Sequence, residues 1–359
     1  MKTQLTAKFE DIISVENLLE AWKEFIRGKR GKRDVQEFQL RLMDDIFSLH
    51  HDLTSRTYHH GGYHTFHIFD PKPREIHKAS VRDRLLHHAM YRILYPFFDR
   101  TFIADSFSCR LGKGTHKALN RFRSFGYIVT KNDTKTCWVL KCDIRKFFAN
   151  IDHAILLSIL RKYILDAGIL WLLEEVIGSF ASATTNHDGH CEESSTKQSH
   201  IAASGLLRFA RNDRKGNIGL PLGNLTSQLL VNIYMNEFDQ FVKHKVKAKY
   251  YIRYADDFVI FSESREKLEE YIPSIRDFLQ KELKLELHPQ KLFIKTLASG
   301  VDFLGWVHFP DHRILRTTTR KRMMKKIAAT KQPETAVSYL GLLKHGNTYT
   351  LRRRVVERI

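Results

Sequence analysis

Cysteine is scarce in this chain of 359 residues: there are four, Cys109, Cys137, Cys142 and Cys191, with no C-x-x-C pair and no repeated spacing. That excludes a disulfide framework and a zinc knuckle built on paired cysteines, and leaves reduced packing residues in what is expected to be a cytosolic protein. Long apolar runs are also missing. No stretch of about 18 apolar residues is present to cross a bilayer, and no hydrophobic leader follows the Met1-Lys-Thr-Gln start, so no membrane role is expected. Acidic residues are in the minority, 40 Asp and Glu against 59 Lys and Arg, for a formal charge of +19 and a pI near 9.7. A field of that sign suits a polyanion, held by phosphate contacts that release counterions and weaken as salt rises. The segment Asp105-Ser-Phe-Ser-Cys-Arg-Leu-Gly-Lys-Gly-Thr-His-Lys117 is basic and glycine-bearing, but it lacks the G-x-x-x-x-G-K-[ST] spacing, which excludes an ATPase phosphate loop.

Against this basic background the acids that stand out are few. Residues 250–261, Tyr-Tyr-Ile-Arg-Tyr-Ala-Asp-Asp-Phe-Val-Ile-Phe, set Asp256 and Asp257 between two apolar, β-prone runs. Two adjacent carboxylates inside a buried strand would cost heavily, whereas a tight turn between two strands lifts them to a sheet surface where a divalent cation can neutralise them. A Tyr-x-Asp-Asp alone arises by chance in roughly one chain in twenty, so it needs support from elsewhere. That support is Trp138-Val-Leu-Lys-Cys-Asp-Ile-Arg-Lys-Phe-Phe-Ala-Asn-Ile-Asp-His153. Cys137 to Ile144 reads as a buried strand ending in Asp143, and Phe147, Phe148 and Ile151 continue at helical spacing. One strand-end acid and a turn-borne pair, brought together on an antiparallel palm-like sheet, would hold two Mg²⁺ about 4 Å apart for nucleotidyl transfer. Taken as structure only, the same residues are a helix N-cap and a solvated turn.

The rest of the chain supplies a frame. Residues 11–50 have helical periodicity around a basic run, Arg27 to Arg33, which ends a first helix before a second through Phe47. Tyr63 to Asp70 alternates as a strand, and Arg74 to Arg84 is a basic lead into a helix carrying Leu85, Leu86, Met90, Ile93 and Leu94. Helices are expected after Asp143 through Leu165, over Ile169–Phe180, from Ser227 through Phe241, and over Lys267–Leu283. Leu285 to Ile294 reads as a strand bearing Lys291, Val301 to Phe309 as a hairpin, and 311–359 as a short, basic, helical end. Nineteen histidines include His59, His60, His64, His67 and the doublet His87-His88; without a helical i, i+4 pattern bearing an acid they are expected at the surface or facing nucleic acid. Ile218-Gly-Leu-Pro-Leu-Gly-Asn-Leu-Thr-Ser-Gln228 places two glycines around a proline just before a helix, a geometry suited to a surface on which a base pair rests.

These blocks, in this order, resemble reverse transcriptases over roughly residues 50–310. The resemblance implies an α/β (α+β) right-hand polymerase: an N-terminal helical extension (1–49), fingers (50–135), a palm on an antiparallel sheet (136–310) and a short basic thumb (311–359). It implies Asp143, Asp256 and Asp257 as catalytic acids, which with the Ile144 carbonyl hold two Mg²⁺ ions, Mn²⁺ being able to substitute. Lys291 matches the lysine that protonates the leaving pyrophosphate, and Phe148 the aromatic gate against a ribose 2′-hydroxyl. Arg74, Lys78 and Arg82 fall where fingers residues meet the incoming triphosphate, Gly223 and Gln228 lie in the base-pair platform, and Phe303-Leu304-Gly305-Trp306 matches the primer grip. The implied partners are template RNA, a DNA primer and deoxynucleoside triphosphates.

One block departs from the family's usual Gln-Gly-x-x-x-Ser-Pro. Leu222-Gly-Asn-Leu-Thr-Ser-Gln228 is similar to the variant in diversity-generating retroelements, whose enzymes copy RNA with errors at adenines beside a basic accessory protein. Loss of an amide near the nascent pair would loosen discrimination by a kcal/mol or two. A group II intron or antiphage reverse transcriptase of bacterial type is the alternative within the family. An RNA-binding scaffold with a dead fold would predict eroded carboxylates, and all three are intact. Residues 181–216, rich in Ser, Thr and Gln, read as a flexible insertion, similar in its last part to peptides encoded by short repetitive elements in bacterial genes. It is expected to be a passenger, more mobile than its flanks.

Overall fold

A computed structural model describes residues 3–69, 73–184, 217–330 and 332–357. The 181–216 insertion expected above, and Cys191 within it, fall almost entirely outside the described residues. The helices α1 (Phe9–Ile13), α2 (Val15–Phe25), α3 (Arg33–Leu40) and α4 (Leu42–Thr54) precede the strands β1 (Tyr63–Ile68) and β2 (Arg74–Ala79). Then come α5 (Val81–Asp99), α6 (Thr115–Val129), β3 (Trp138–Asp143), α7 (His153–Arg161), α8 (Ala167–Thr184) and α9 (Leu225–His244). They are followed by β4 (Tyr250–Tyr254), β5 (Asp257–Ser262), α10 (Arg265–Leu283), β6 (Phe293–Thr296), β7 (Val301–Phe303), β8 (Trp306–His308) and β9 (Arg313–Leu315). Three helices close the chain, α11 (Thr317–Thr330), α12 (Pro333–Leu343) and α13 (Tyr349–Val356). No helix among the described residues is long and apolar enough to cross a membrane. The mixed α/β architecture with antiparallel sheets agrees with the expected polymerase class.

Two compact units divide the chain, and each is discontinuous: residues 1–100 with 146–234, and residues 101–145 with 235–359. In the first unit four short N-terminal helices stand where two were expected. Ser14, at φ −53° and ψ 143°, stops α1 and caps α2 by accepting from Asn17 N; Arg41 breaks α3 from α4 with φ −120° and ψ 31°. Leu18, Ala21, Trp22 and Phe25 of α2 are buried, and Trp22 meets Phe38 of α3. The basic stretch from Arg74, expected as a lead-in, is instead β2, which pairs antiparallel with β1 from Tyr63↔Ala79 to Ile68↔Arg74. The helix begins only at Ser80, whose hydroxyl accepts from Asp83 N. α7 stops at Arg161, short of Leu165.

Two histidines expected at the surface are buried in this unit. The side chain of His60 is 1 % exposed and its Nε2 lies 3.1 Å from His87 Nε2. Beneath them Asp83 accepts from Tyr58 OH and Gly61 N. Burial, then the neighbouring imidazole, pushes the His87 pKa well below the usual value. Each ring thus finds a polar partner inside the fold, whereas His59, His64 and His67 are exposed.

The second unit is built on a four-stranded antiparallel sheet of order β4-β5-β3-β6. Alternation along its strands sends Val139, Val259 and Phe261 toward α6, where Phe122 and Phe125 meet Phe261 and Tyr250. The other face carries Tyr251 and Phe258 against Phe238 of α9, and both faces are buried. The expected hairpin at 301–309 is the first part of a three-stranded meander, β7-β8-β9. Trp306 and Leu315 of that meander join Met323, Ile327, Ala336, Leu343 and Val355 of the terminal helices in a separate core.

Candidate active site

β3 and β5 run antiparallel in a register that puts Asp143 directly opposite Asp257. Directly opposed residues share a sheet face, so their carboxylates face each other. The hairpin from β4 closes between Tyr254 and Asp257, leaving Ala255 and Asp256 as its two turn residues. Only Asp256 therefore lies in the turn, while Asp257 opens β5. Ala255 takes the left-handed φ of +55°, a position that usually falls to glycine or asparagine. Beyond Asp143 the strand direction continues: Ile144 N donates to Asp256 O at 3.2 Å, His288 N to Asp143 O at 2.8 Å and Arg145 N to Glu286 O at 2.9 Å.

That last tie delivers Lys291. The residue sits at the end of a 3₁₀ turn, Pro289–Lys291, and not on a strand as expected, because Pro289 lacks the N–H a ladder needs and fits the first position of a helical turn. Its Nζ donates to Asp143 Oδ1 at 2.9 Å. A second cation, unforeseen from the sequence, completes the site: Lys141, with a side chain only 10 % exposed, holds its Nζ 3.6 Å from Asp257 Oδ1. Its signal was present, since a lysine two residues before Asp143 in an otherwise apolar strand shares that residue's face.

Burial, followed by the charges of Asp256 and Asp143 and a hydrogen bond to Asp143, pushes the Asp257 pKa up to about 6, against the opposing pull of Lys141. Asp257 Oδ1 is buried and makes no hydrogen bond. A carboxylate with an orphan oxygen, a raised pKa and a carboxylate neighbour is a set of hard oxygen donors with unmet demand for positive charge, which fits a divalent cation. The preset unit is this pair. Among the described residues no group of three or more His, Cys, Asp or Glu side chains is gathered into a ready metal cage.

The other candidate residues of this unit lie on the meander. Phe303 and Trp306 are 0 % and 1 % exposed and serve separate cores, so their side chains are structural. Between them Leu304 and Gly305 both have positive φ, 51° and 83°, and form a two-residue hairpin turn whose Gly305 carbonyl accepts from Arg316 N at 3.0 Å.

In the first unit, Phe148 is half-buried in a 3₁₀ turn, Phe147–Asn150, and its carbonyl accepts from Leu220 N at 2.8 Å. Gly223 is sewn to β2: His77 N donates to Leu222 O at 3.0 Å, and Asn224 Nδ2 donates to His77 O at 3.0 Å. At φ +114° a Cβ on Gly223 would come within 2.9 Å of Ile76 Cγ2. Gln228 is half-buried in the first turn of α9. Of the three fingers candidates, Lys78 is paired with Asp34 at 2.7 Å and Arg82 with Asp52 at 2.5 Å. Arg74 stands exposed at the start of β2.

An α/β fold whose central antiparallel sheet carries opposed acids at its strand ends, in a strongly basic chain, is that of a nucleic-acid polymerase. The chain belongs to the reverse transcriptase (RNA-dependent DNA polymerase) family, whose profile matches residues 70–308, well over half of its length. By family it is an RNA-directed DNA polymerase, an enzyme of the nucleotidyltransferase class. It is 26% identical over 293 residues to Protein YkfC of Escherichia coli, an alignment covering 73% of this chain and 68% of that protein. It is 25% identical over 317 residues to the group II intron-encoded protein LtrA of Lactococcus lactis, covering 71% of this chain and 47% of LtrA. Nuclear intron maturase 1 of Arabidopsis thaliana is 22% identical over 313 residues, 68% of this chain and 42% of the maturase. The chain thus spans about two thirds of the first relative and less than half of the other two.

Proposed function

We propose that this chain copies an RNA template into DNA at the Asp143–Asp257 pair and is the error-prone enzyme of a diversity-generating retroelement. The observation that carries the first part is the directly opposed acid pair, with Asp143 buried and an orphan buried oxygen on the half-buried Asp257, in a chain of this family. Asp143, Asp256, Asp257 and the Ile144 carbonyl would hold two Mg²⁺ ions, or Mn²⁺ in their place, which supply Lewis-acid charge neutralisation for the attacking hydroxyl and the leaving pyrophosphate.

The chain's own groups do the rest. Lys141 balances part of the acid charge from within the sheet and keeps Asp257 ionised. Lys291, bonded to Asp143, is the proton donor for the pyrophosphate. Phe148 rejects a ribose 2′-hydroxyl by volume. With Lys78 and Arg82 held by carboxylates, Arg74 is the fingers residue that meets the triphosphate. Leu304 and Gly305 present backbone to the primer strand, and Gly223 and Gln228 form the platform under the new base pair. In this reading residues 50–135, 136–310 and 311–359 act as fingers, palm and thumb behind the extension 1–49. The partners are template RNA, DNA primer, deoxynucleotides and a basic accessory protein, in the cytoplasm of a bacterium or a phage-infected cell.

The subtype rests on Leu222-Gly-Asn-Leu-Thr-Ser-Gln228. A group II intron-like role is the second reading, favoured by the likeness to intron-encoded proteins such as LtrA. Extension of a DNA primer on an adenine-containing RNA, with products sequenced, tests both levels. Wild-type chain should extend, Asp143→Asn and Asp256→Asn should lose at least about a thousandfold in rate, and errors should concentrate opposite adenine. Uniform low error would reject the mutagenic subtype, and unchanged extension by the asparagine variants would reject the site.

A further inference from the structure

The chemistry above leaves one buried charge without a task. Arg253 lies three residues before Asp256, and it and Asp239 of α9 are both fully inaccessible. Because Arg253 pairs with Phe258 and Tyr254 with Asp257, Arg253 projects from the face opposite the acid pair. There its guanidinium is locked to one carboxylate, Nε donating to Asp239 Oδ1 at 2.8 Å and Nη2 to Oδ2 at 2.7 Å. Tyr251 OH donates to the same Oδ1 at 2.7 Å, which fixes the carboxylate in turn. Nη2 also donates to Ser106 Oγ at 3.0 Å, and the main chain of Arg253 is tied to the same loop, its N donating to Asp105 O and its O accepting from Phe107 N, both at 3.0 Å.

The remaining arm reaches the turn. Nη1 donates to Ala255 O at 3.2 Å. A buried ion pair is weak evidence of net stabilisation, since an apolar pair of similar volume often does as well, so burial alone gives no account of why this one is present. Geometry does. Ala255 holds its left-handed φ without the freedom of glycine, and the carbonyl between it and Asp256 must be oriented from outside the turn. On the other side Ile144 N grips Asp256 O at 3.2 Å. The turn that bears Asp256 is therefore held along its edge by the end of β3 and from one face of the sheet by Arg253.

We propose that Arg253 is a positioning residue for DNA synthesis: Asp239 and Ser106 immobilise its guanidinium, whose bond to the Ala255 carbonyl sets the turn so that Asp256 can join the Asp143–Asp257 pair on a cation. This rests on the reading that those carboxylates bind the metal. A rigid fork is needed because an ammonium cannot bind a carboxylate through two parallel donors and a carbonyl at once.

The test uses the full chain and two variants, Arg253→Lys and the apolar double replacement Asp239→Leu with Arg253→Met. Three quantities are read: the thermal midpoint without metal, Mn²⁺ affinity by electron paramagnetic resonance, and kcat and KM for a single deoxynucleotide addition. The double variant should keep its midpoint within about 5 °C, lose at least about tenfold in kcat with KM changed less than about threefold, and bind Mn²⁺ more weakly. A stable double variant with wild-type kcat and Mn²⁺ affinity overturns the proposal. Should the double variant fail to fold, Arg253→Lys decides: reduced kcat and Mn²⁺ affinity support the clamp, and wild-type values overturn it. Asp143→Asn runs in parallel, and activity there would sink the polymerase reading itself, independently of Arg253.

Discussion

Asp257 meets two opposed demands. Binding a cation needs it ionised, and its place beneath the turn, beside two other acids, favours the proton. Because the carboxyl is lifted from 3.8 to about 6, the folded chain keeps a proton that the unfolded chain has released between those values. Metal-free stability from this group therefore falls as pH rises through that window and stays lower above it. Asp257→Asn should then stabilise the metal-free protein at pH 8 by about 1–3 kcal/mol in urea unfolding while removing synthesis. A destabilised Asn variant would contradict the strain assigned to this carboxylate. Lys141→Met removes the cation that pulls the Asp257 pKa down, so it should push that pKa higher still and weaken Mn²⁺ binding at pH 6.5.

Elements show why some of this was legible from residues and some was not. The strand ending in Asp143, the hairpin with its acids and the helix after Gly223 all carry local signals, apolar β-prone runs and glycines before the helix, although Asp257 opens β5 and does not lie in the turn. β2 was missed because a basic run with few apolar residues reads as a loop until β1 supplies its hydrogen bonds. The apolar pattern around Lys291 is that of a strand, and Pro289 overrides it. Lys141 and Arg253 pose a different difficulty: a charge inside a strand is ambiguous until the facing element is known. The platform gives a sharper test. Gly223→Ala demands a left-handed alanine and moves Ile76, so it should cost about 1–3 kcal/mol in unfolding and loosen the tie to β2, read as faster hydrogen exchange at His77 N. Unchanged exchange there would mean that the glycine is incidental.

Across the whole molecule the excess of positive charge sets how it meets nucleic acid. With a formal charge of +19, binding to a primer–template duplex should weaken steeply with salt, losing at least about a hundredfold between 50 and 200 mM. A shallow slope would assign affinity to apolar or base contacts instead. Acid tolerance is limited by buried imidazoles. Burial pushes the His88 pKa down to about 4 and that of His308 down to about 3, so these rings stay neutral in the fold where the unfolded chain would protonate. Stability from them falls as pH drops below about 6.5, opposite in sign to Asp257. The measurement that bears most directly on the central claim is equilibrium Mn²⁺ binding to the full chain between pH 5 and pH 8, without nucleotide or template. Competition between proton and cation at Asp257 predicts affinity that declines as pH falls below about 6 and is abolished in Asp257→Asn. Affinity that is flat with pH and intact in that variant would place the metal elsewhere and contradict the account.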